Sequence, residues 1–305
     1  MLAFALKRLG LAILVTFTVS VISFSLLHLS GDPATSLAGE NATAADIAAI
    51  SRQYGFDRPL TVQYTDWLWK ALHGDFGESY YFKLPVADLI ADRLSITMTL
   101  GICAISFALL TAVPLGVAAA VRPNSVVDRT ALFLSVAGQA MPSFWFGLVM
   151  IVIFSIKLRL LPASGSETWR HFIMPTVVLG YYAMPAIMRL TRAGMLEVLN
   201  ADYIRTARAK GAGAGRVLFK HALRNAIVPV VSLSAVQMGF MLGGSVVVEA
   251  IFSLHGAGYL AWESIGRHDL PTVQALILIF SCFYILFTLL SDLANAWLDP
   301  RIRVG

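Results

Sequence analysis

A basic segment holds the residues whose types and spacing are best suited to chemistry. It runs from Asp202 to Gly211 and resumes from His221 to Asn225, between two apolar runs. Between residues 189 and 224, Lys and Arg outnumber Asp and Glu by eight to two. The chemistry that this pattern predicts is recognition, in which a partner docks against a cationic surface segment.

Local propensities predict two short helices in this loop. Ala and Arg favour helix and glycine permits a turn, so we expect helix from Glu197, a break at Gly211 to Gly215, and helix again to Phe219. Positive charge kept at the inner membrane face, in contact with lipid headgroups, also accounts for the basic residues. A loop this long exceeds what topology requires, which favours docking. Its two predicted apolar patches are Ile204, Ala207 and Ala209, then Leu218, Phe219, Ala222 and Leu223.

The motifs of catalysis are missing from the sequence. The run from Gly211 to Arg216 lacks the Lys-Ser/Thr ending of a phosphate loop, and Arg216 stands where G-x-G-x-x-G needs its last glycine. There is no H-E-x-x-H motif, and Cys103 and Cys282 fall inside apolar runs without a second ligand at metal-binding spacing. We therefore expect a chain that is not an enzyme and holds no metal or cofactor of its own.

The composition identifies an integral membrane protein. Of 305 residues, 57% are hydrophobic and only 13% are charged, and the mean hydropathy is +0.73, whereas about a quarter of residues are charged in a soluble domain. A membrane-spanning helix needs about 20 apolar residues. Six runs meet or approach this length, and they cover residues 9–29, 94–121, 130–156, 172–188, 226–252 and 270–296.

Basic residues set the predicted orientation, because cytoplasmic flanks collect Lys and Arg. Both ends of the chain and the 189–225 loop are basic and are predicted to face the cytoplasm. The 31–93 region carries five basic and nine acidic residues and is predicted to lie outside. Lys157, Arg159 and Arg170 argue against this orientation but are outnumbered. The run after Arg8 is too long for a signal peptide and is predicted to be the first span.

The outward region shows a pattern of order. Thr43 and Asp46 predict a capped helix that ends near Gly55. Further helices are predicted from Thr61 to Leu72 and from Val86 to Arg93. Trp67 and Trp69 suit either the bilayer interface or a partner protein.

Polar groups inside the apolar runs are candidates for a translocation path, because they are costly at membrane depth. The candidates are Gln139, Gln237, Met238 and Glu249. Glu249 is equally compatible with a structural pair near the outer interface, and methionine is an ordinary core-filling residue. Asp292, near the inner end of the last run, is predicted to lie close to Arg301 or Arg303.

The loop sequence resembles the cytoplasmic coupling motif of ATP-binding-cassette (ABC) importer permeases, in the dipeptide, oligopeptide and nickel group. The matching residues run from Ala201 to Ala212, from Arg216 to Leu218 and from His221 to Ala226. Other segments agree in order and spacing, namely Gly31-Asp32-Pro33-Ala34, Tyr54-Gly55, Arg58-Pro59-Leu60, Gly74-Asp75-Phe76-Gly77, Pro85-Val86, Arg93-Leu94, Gly243 to Glu249, Ile251-Phe252 and Leu298 to Arg303. At His255 the chain departs from the proline that this group often has before Gly-x-Gly.

This resemblance implies an all-α membrane protein with six transmembrane helices in the type-1 importer fold. It divides the chain into three parts. Residues 1–93 form the first helix and a partly helical extracytoplasmic region, and residues 94–297 form the transmembrane domain with its coupling loop 189–225. Residues 298–305 form a cytoplasmic tail. The residues that it assigns to a coupling helix and its turn, seated in a cleft of an ATPase subunit, are Asp202, Tyr203, Arg205, Thr206, Ala207, Lys210 and Gly211.

The resemblance also implies the partners. They are a second permease chain, more often a paralogue than a copy, two ATP-binding subunits that carry ATP and Mg, an extracytoplasmic binding protein and membrane lipid, with no nucleic acid. The implied location is a bacterial or archaeal cytoplasmic membrane, and the implied substrate is a di- or oligopeptide. Nickel chelates and glutathione-like solutes are alternatives within the same class.

Two other classes of protein remain open on the residues alone. An autonomous secondary transporter or channel predicts inverted repeats around charged groups at mid-membrane depth, and no clear repeat is present. A membrane scaffold or receptor uses the basic loop for docking only. Adjacent genes for an ATPase, a second permease and a binding protein favour the importer over both.

Overall fold

The computed structural model describes residues 2–29, 33–38 and 42–298, which are helical apart from short connections. The matching residues Gly31-Asp32 and the tail after Leu298 lie outside the described residues. The helices, in chain order, are α1 Leu2–Leu29, α2 Pro33–Ala38, α3 Ala44–Tyr54, α4 Leu60–Leu72, α5 Val86–Val121, α6 Val126–Ala140, α7 Ser143–Met150, α8 Trp169–Leu199, α9 Asp202–Ala209, α10 Arg224–Ala226, α11 Val228–Phe252, α12 Ala257–Gly266 and α13 Leu270–Leu298. Two π-helical segments, Ile151–Lys157 after α7 and Arg216–Leu223 before α10, complete the set.

Five of the described helices, α1, α5, α8, α11 and α13, are long and apolar enough to cross a membrane. The predicted third span is divided instead, because Met141 and Pro142 are extended between α6 and α7. Proline donates no N–H and restricts the residue before it, which ends a helix. The pieces from α6 to Lys157 together cover the predicted span, so the count of six stays a prediction.

Three helices, α5, α8 and α11, form the centre of the bundle. Leu100 and Ala104 on α5 pack in one buried cluster with Val178 on α8 and Val248 on α11. Gly116 permits the close approach of α5 and α8, because a β-carbon there would lie 2.8 Å from the carbonyl oxygen of Met188. The fourth predicted span is longer than expected, since α8 continues from Trp169 to Leu199 with two prolines inside.

The helix α5 connects the two ends of the molecule. Its first turns pack Val86 and Ile90 against α12 and the start of α13, whereas Val117 and Ala120 near its other end pack against α9. With 36 residues, α5 is about 54 Å long. It starts before residue 94, so the boundary between the first two predicted domains falls inside a continuous helix.

The predicted capped helix in the outward region is confirmed as α3. The side chain of Thr43 accepts from the N–H of Asp46, and the Asp46 carboxylate accepts from Thr43 in return. These hydrogen bonds hold the pKa of Asp46 below its usual value. Gly55 ends the helix at φ +73°, a conformation that glycine adopts without strain. The helix predicted from Thr61 to Leu72 is also present, as α4.

Candidate functional site

The helix α9 lies at the end of the bundle opposite to α12, and Ile204 is its one buried side chain. Ile204 is fully buried and belongs to one apolar cluster with Val117 of α5, Met195 of α8 and Val217 of the π-helical segment, against which α9 packs. Burying a side chain of this size stabilises the contact by about 1.5–3 kcal/mol. Most other residues predicted for the coupling motif are exposed, and they are Asp202, Tyr203, Arg205, Thr206, Lys210 and Gly211, with Ala207 half-buried.

A Schellman motif ends α9. The N–H of Gly211 donates to the carbonyl of Arg208 at 2.9 Å, and the N–H of Ala212 donates to that of Ala207 at 3.1 Å. Gly211 has φ +78°, and no atom of the described chain lies within 4 Å of the position that a β-carbon would take. Glycine is therefore favoured here by backbone conformation and not by crowding within this chain.

Polar contacts of α9 leave its basic groups available. Arg205 lies 3.4 Å from Asp202, but both side chains are largely in solvent, so this pair stabilises little. The amide of Asn225 donates to the hydroxyl of Tyr203 at 2.9 Å and so links α9 to α10. Arg208 and Lys210 are exposed beside these residues. The result is a short helix whose outer surface is cationic.

The predicted apolar patches are only partly correct. Ile204 faces the bundle and is not a surface residue, whereas Ala209 is exposed. In the second predicted helix, which is π-helical, Ala222 is buried and Phe219 is 64% exposed. A helical segment packed on a bundle turns its largest continuous apolar stripe inward. In α9 that stripe contains Ile204, and in the π-helical segment it contains Ala222.

An ion pair ties α6 to α8. Arg192 donates two hydrogen bonds to the buried carboxylate of Asp128, at 2.6 and 2.7 Å, and the N–H of Asn124 donates a third at 2.8 Å. Two-pronged arginine–carboxylate bonds hold a fixed geometry. Local sequence presents Arg192 only as one positive charge of a basic loop, because its partner Asp128 lies 64 residues earlier.

At the opposite end of α5, a buried carboxylate holds α12. Glu249 accepts from the hydroxyl of Thr97 at 2.8 Å and from the N–H of Tyr259 at 2.9 Å, and Thr97 in turn accepts from the N–H of Ala257 at 2.8 Å. Glu249 is fully buried. These contacts join α5, α11 and the first turn of α12. They favour the structural interpretation of Glu249 over a place on the translocation path.

The glycine before α12 makes this arrangement possible. A β-carbon at Gly256 would overlap an oxygen of Glu249 and lie 2.6 Å from the hydroxyl of Thr97. We expect Gly256→Ala to lower the free energy of unfolding by about 1–3 kcal/mol through overpacking, measured by thermal unfolding of the purified chain. The control is Gly266→Ala at the other end of α12, where a β-carbon meets nothing within 4 Å. Equal stability of the two variants would contradict the assignment.

The other predicted path residues lie on two helices, Gln139 on α6 and both Gln237 and Met238 on α11. Gln139 is exposed near the end of α6 and accepts a hydrogen bond from Arg189 at 3.3 Å. Gln237 is half-buried on α11. Met238 is buried, and a β-carbon at Gly101 would lie 2.9 Å from its terminal methyl carbon, so it fills the gap between α5 and α11. Their role in transport stays a prediction.

A third buried carboxylate, that of Asp269, joins residues 79–80 to the start of α13. Asp269 accepts from the hydroxyls of Ser79 at 2.6 Å and Thr272 at 2.7 Å, and from the N–H of Tyr80 at 2.8 Å. No local pattern predicts this cluster, because Ser79 lies 190 residues away from Asp269 in the chain. Asp292 forms an ion pair with Arg8 of α1 at 2.9 Å, and its expected partners Arg301 and Arg303 lie outside the described residues.

Comparison with known families gives two matches. A family model described as "Binding-protein-dependent transport system inner membrane component" matches residues 112–304. A second model, "Binding-prot-dependent transport system membrane comp, N-term", matches residues 1–101. Together they account for nearly the whole chain.

Similar proteins and structures agree with these matches. "Glutathione transport system permease protein GsiC" of Salmonella choleraesuis (strain SC-B67) and that of Escherichia coli (strain K12) are each 41% identical over 304 residues, or 99% of both chains. A structure of the MetNI methionine ABC transporter in inward-facing conformations has a TM-score of 0.58 at 18% identity, covering 69% of this chain and 96% of that one. An amino acid ABC transporter structure has a TM-score of 0.51 at 15% identity, covering 70% and 94%. The two structures show the ABC type-1 importer fold.

Proposed function

This chain belongs to the binding-protein-dependent transport system inner membrane component family, and on that premise we propose how it works as the permease subunit of an ABC importer. Members of this family are membrane components of importers and do not themselves hydrolyse ATP. Membership therefore disfavours the two alternative classes, the autonomous transporter and the membrane scaffold. The chain pairs with a second permease, a paralogue, and encloses the solute path between the two. ATP and Mg are bound by two separate subunits.

The coupling helix in this proposal is α9. Its supporting observation is that one face is anchored through Ile204 while the opposite face presents exposed cationic residues. An ATPase cleft that receives this face would pull α9 when ATP closes the ATPase pair. Ile204 passes that movement to α5 and α8, and α5 extends to the other end of the bundle. That movement reorients the path from one side of the membrane to the other.

Orientation follows from this mechanism. We propose that α9 and both termini face the cytoplasm of a bacterium or archaeon, and that the 42–85 region faces outward toward the binding protein. The positive-inside pattern supports this orientation. The two regions lie at opposite ends of α5.

Cysteine labelling tests the orientation. After Cys103 and Cys282 are replaced by alanine, we expect Asp57→Cys to react with an impermeant maleimide in intact cells and Gly213→Cys to react only after the membrane is opened. Both positions are exposed. Ser79, although outward in this scheme, is 1% exposed and is unsuitable. Reaction of Gly213→Cys alone in intact cells would overturn the orientation.

For the substrate, we propose a short peptide of glutathione size. The supporting observation is the 41% identity over 99% of both chains to permeases named for glutathione transport. The test is uptake of radiolabelled glutathione by cells that express the complete importer and no other glutathione uptake system. We expect unlabelled di- and tripeptides to compete and a nickel–histidine chelate not to compete. Competition by the chelate alone would favour the metal-complex alternative.

A further inference from the structure

A cavity of about 500 Å³ lies at the end of the molecule opposite to α9. It is bounded by α4, by residues 75–80 and by the first turn of α13, with Phe24 of α1 at one side. Aromatic side chains form much of its wall, and they are Tyr54, Phe56, Trp67, Trp69, Phe76 and Tyr80. Sites for small molecules have this size, with mostly apolar walls and a few polar groups.

One polar group at this cavity lacks a partner. Gln274 borders the cavity from α13, is 5% exposed, and its amide nitrogen Nε2 has no acceptor in the described part of the chain. Most buried polar groups are hydrogen-bonded, since an unsatisfied donor costs free energy. The nearby buried groups Ser79 and the N–H of Tyr80 are already engaged by Asp269. A ligand oxygen would satisfy the Gln274 amide.

The charges around the cavity are unevenly paired. Arg58 is neutralised by Asp66 at 2.9 Å. Lys70, Lys83, Asp75 and Glu78 also border the cavity, and none of the four forms an ion pair within the described residues. Two unpaired ammonium groups and two unpaired carboxylates complement a zwitterionic ligand, such as a peptide with free carboxylate and ammonium groups.

We propose that this cavity binds a short peptide with free carboxylates, recognised by the amide of Gln274 and the ammonium groups of Lys70 and Lys83 against an aromatic wall. The site lies on the permease itself, beside the outer end of α5, and would hold solute after its release by the binding protein. This inference rests on the proposed function for the class of solute. It assigns to the permease a solute-binding site of its own.

The test uses the complete importer in nanodiscs, without binding protein, and radiolabelled glutathione as the probe. We expect saturable binding that Gln274→Leu and, separately, Lys70→Ala each weaken about tenfold, as for the loss of one hydrogen bond to a charged group. The matched controls are Gln53→Leu on α3 and Lys157→Ala after α7, which are exposed and lie outside the cavity. Lys70 is exposed, so its variant keeps the test valid if Gln274→Leu fails to fold.

Two results would overturn the site. Either wild-type importer shows no saturable binding, or both cavity variants bind as tightly as their controls. A third result would show that the cavity receives a protein segment instead. In that case solute-free binding protein protects Trp69→Cys from reaction with maleimide, whereas glutathione does not. If the wild-type importer does not take up glutathione, the proposed substrate is wrong. If the wild-type importer takes up glutathione normally and both cavity variants bind it as the wild type does, only the proposed cavity site is wrong.

Discussion

Gly211→Glu is expected to leave the chain inserted in the membrane and to reduce uptake by about a hundredfold or more, because backbone strain of about 1–3 kcal/mol adds to a carboxylate placed on a cationic docking surface. The strain arises because Gly211 has φ +78°, where residues with a β-carbon are disfavoured. Uptake of labelled solute by cells, normalised to the amount of chain in the membrane, is the measurement.

Two controls separate backbone conformation from contact. Gly213→Glu places the same charge two residues away, where φ is not positive and the space is open, and it is expected to retain most uptake. Gly211→Asn keeps a residue that tolerates left-handed backbone. Substantial uptake by Gly211→Asn would show that conformation dominates, and its loss would show that the ATPase approaches Gly211 closely. Normal uptake by Gly211→Glu would contradict the docking assignment.

The second large effect is expected from Ile204→Ala. This change removes the one fully buried side chain that anchors α9, and large-to-small changes in cores cost about 2–5 kcal/mol. The outer face of α9 is unchanged, so ATPase subunits should still co-purify. We expect uptake to fall about tenfold or more, and ATP hydrolysis to lose its stimulation by loaded binding protein, because a local loosening of this size weakens transmission to α5.

The exposed neighbour Arg208 provides the contrast. Arg208→Ala alters the docking face and leaves the buried contact intact, so weaker retention of the ATPase is expected. If Ile204→Ala lost the ATPase subunits while Arg208→Ala kept them, the two faces of α9 would be assigned the wrong way round. Unchanged uptake by Ile204→Ala would remove the mechanical role of the anchor.

Local patterns in the sequence were sufficient for several features. The capping box of α3 depends on residues three apart, and the turn after α9 depends on a glycine that follows a run of helix formers. The membrane class followed from composition. The charge and the order of the residues predict a coupling segment, and α9 occupies that position, whereas its coupling role stays a proposal.

Contacts between distant residues could not be predicted in this way. Thr97 and Glu249 are 152 residues apart, and Ser79 and Asp269 are 190 apart. Both carboxylates are fully buried, yet nothing in their neighbouring sequence specifies a partner. The break in the third span shows a different limit: Pro142 is visible in the sequence, but only the packing of the bundle decides whether a proline bends a helix or divides it.

Affinity purification of this chain from its native membrane, without crosslinker and followed by mass spectrometry, tests the central claim most directly. The account predicts recovery of one or two ATP-binding subunits together with a second permease chain, and their loss with Gly211→Glu. Recovery of a stable, monodisperse chain without any ATP-binding subunit would contradict the coupling role of α9.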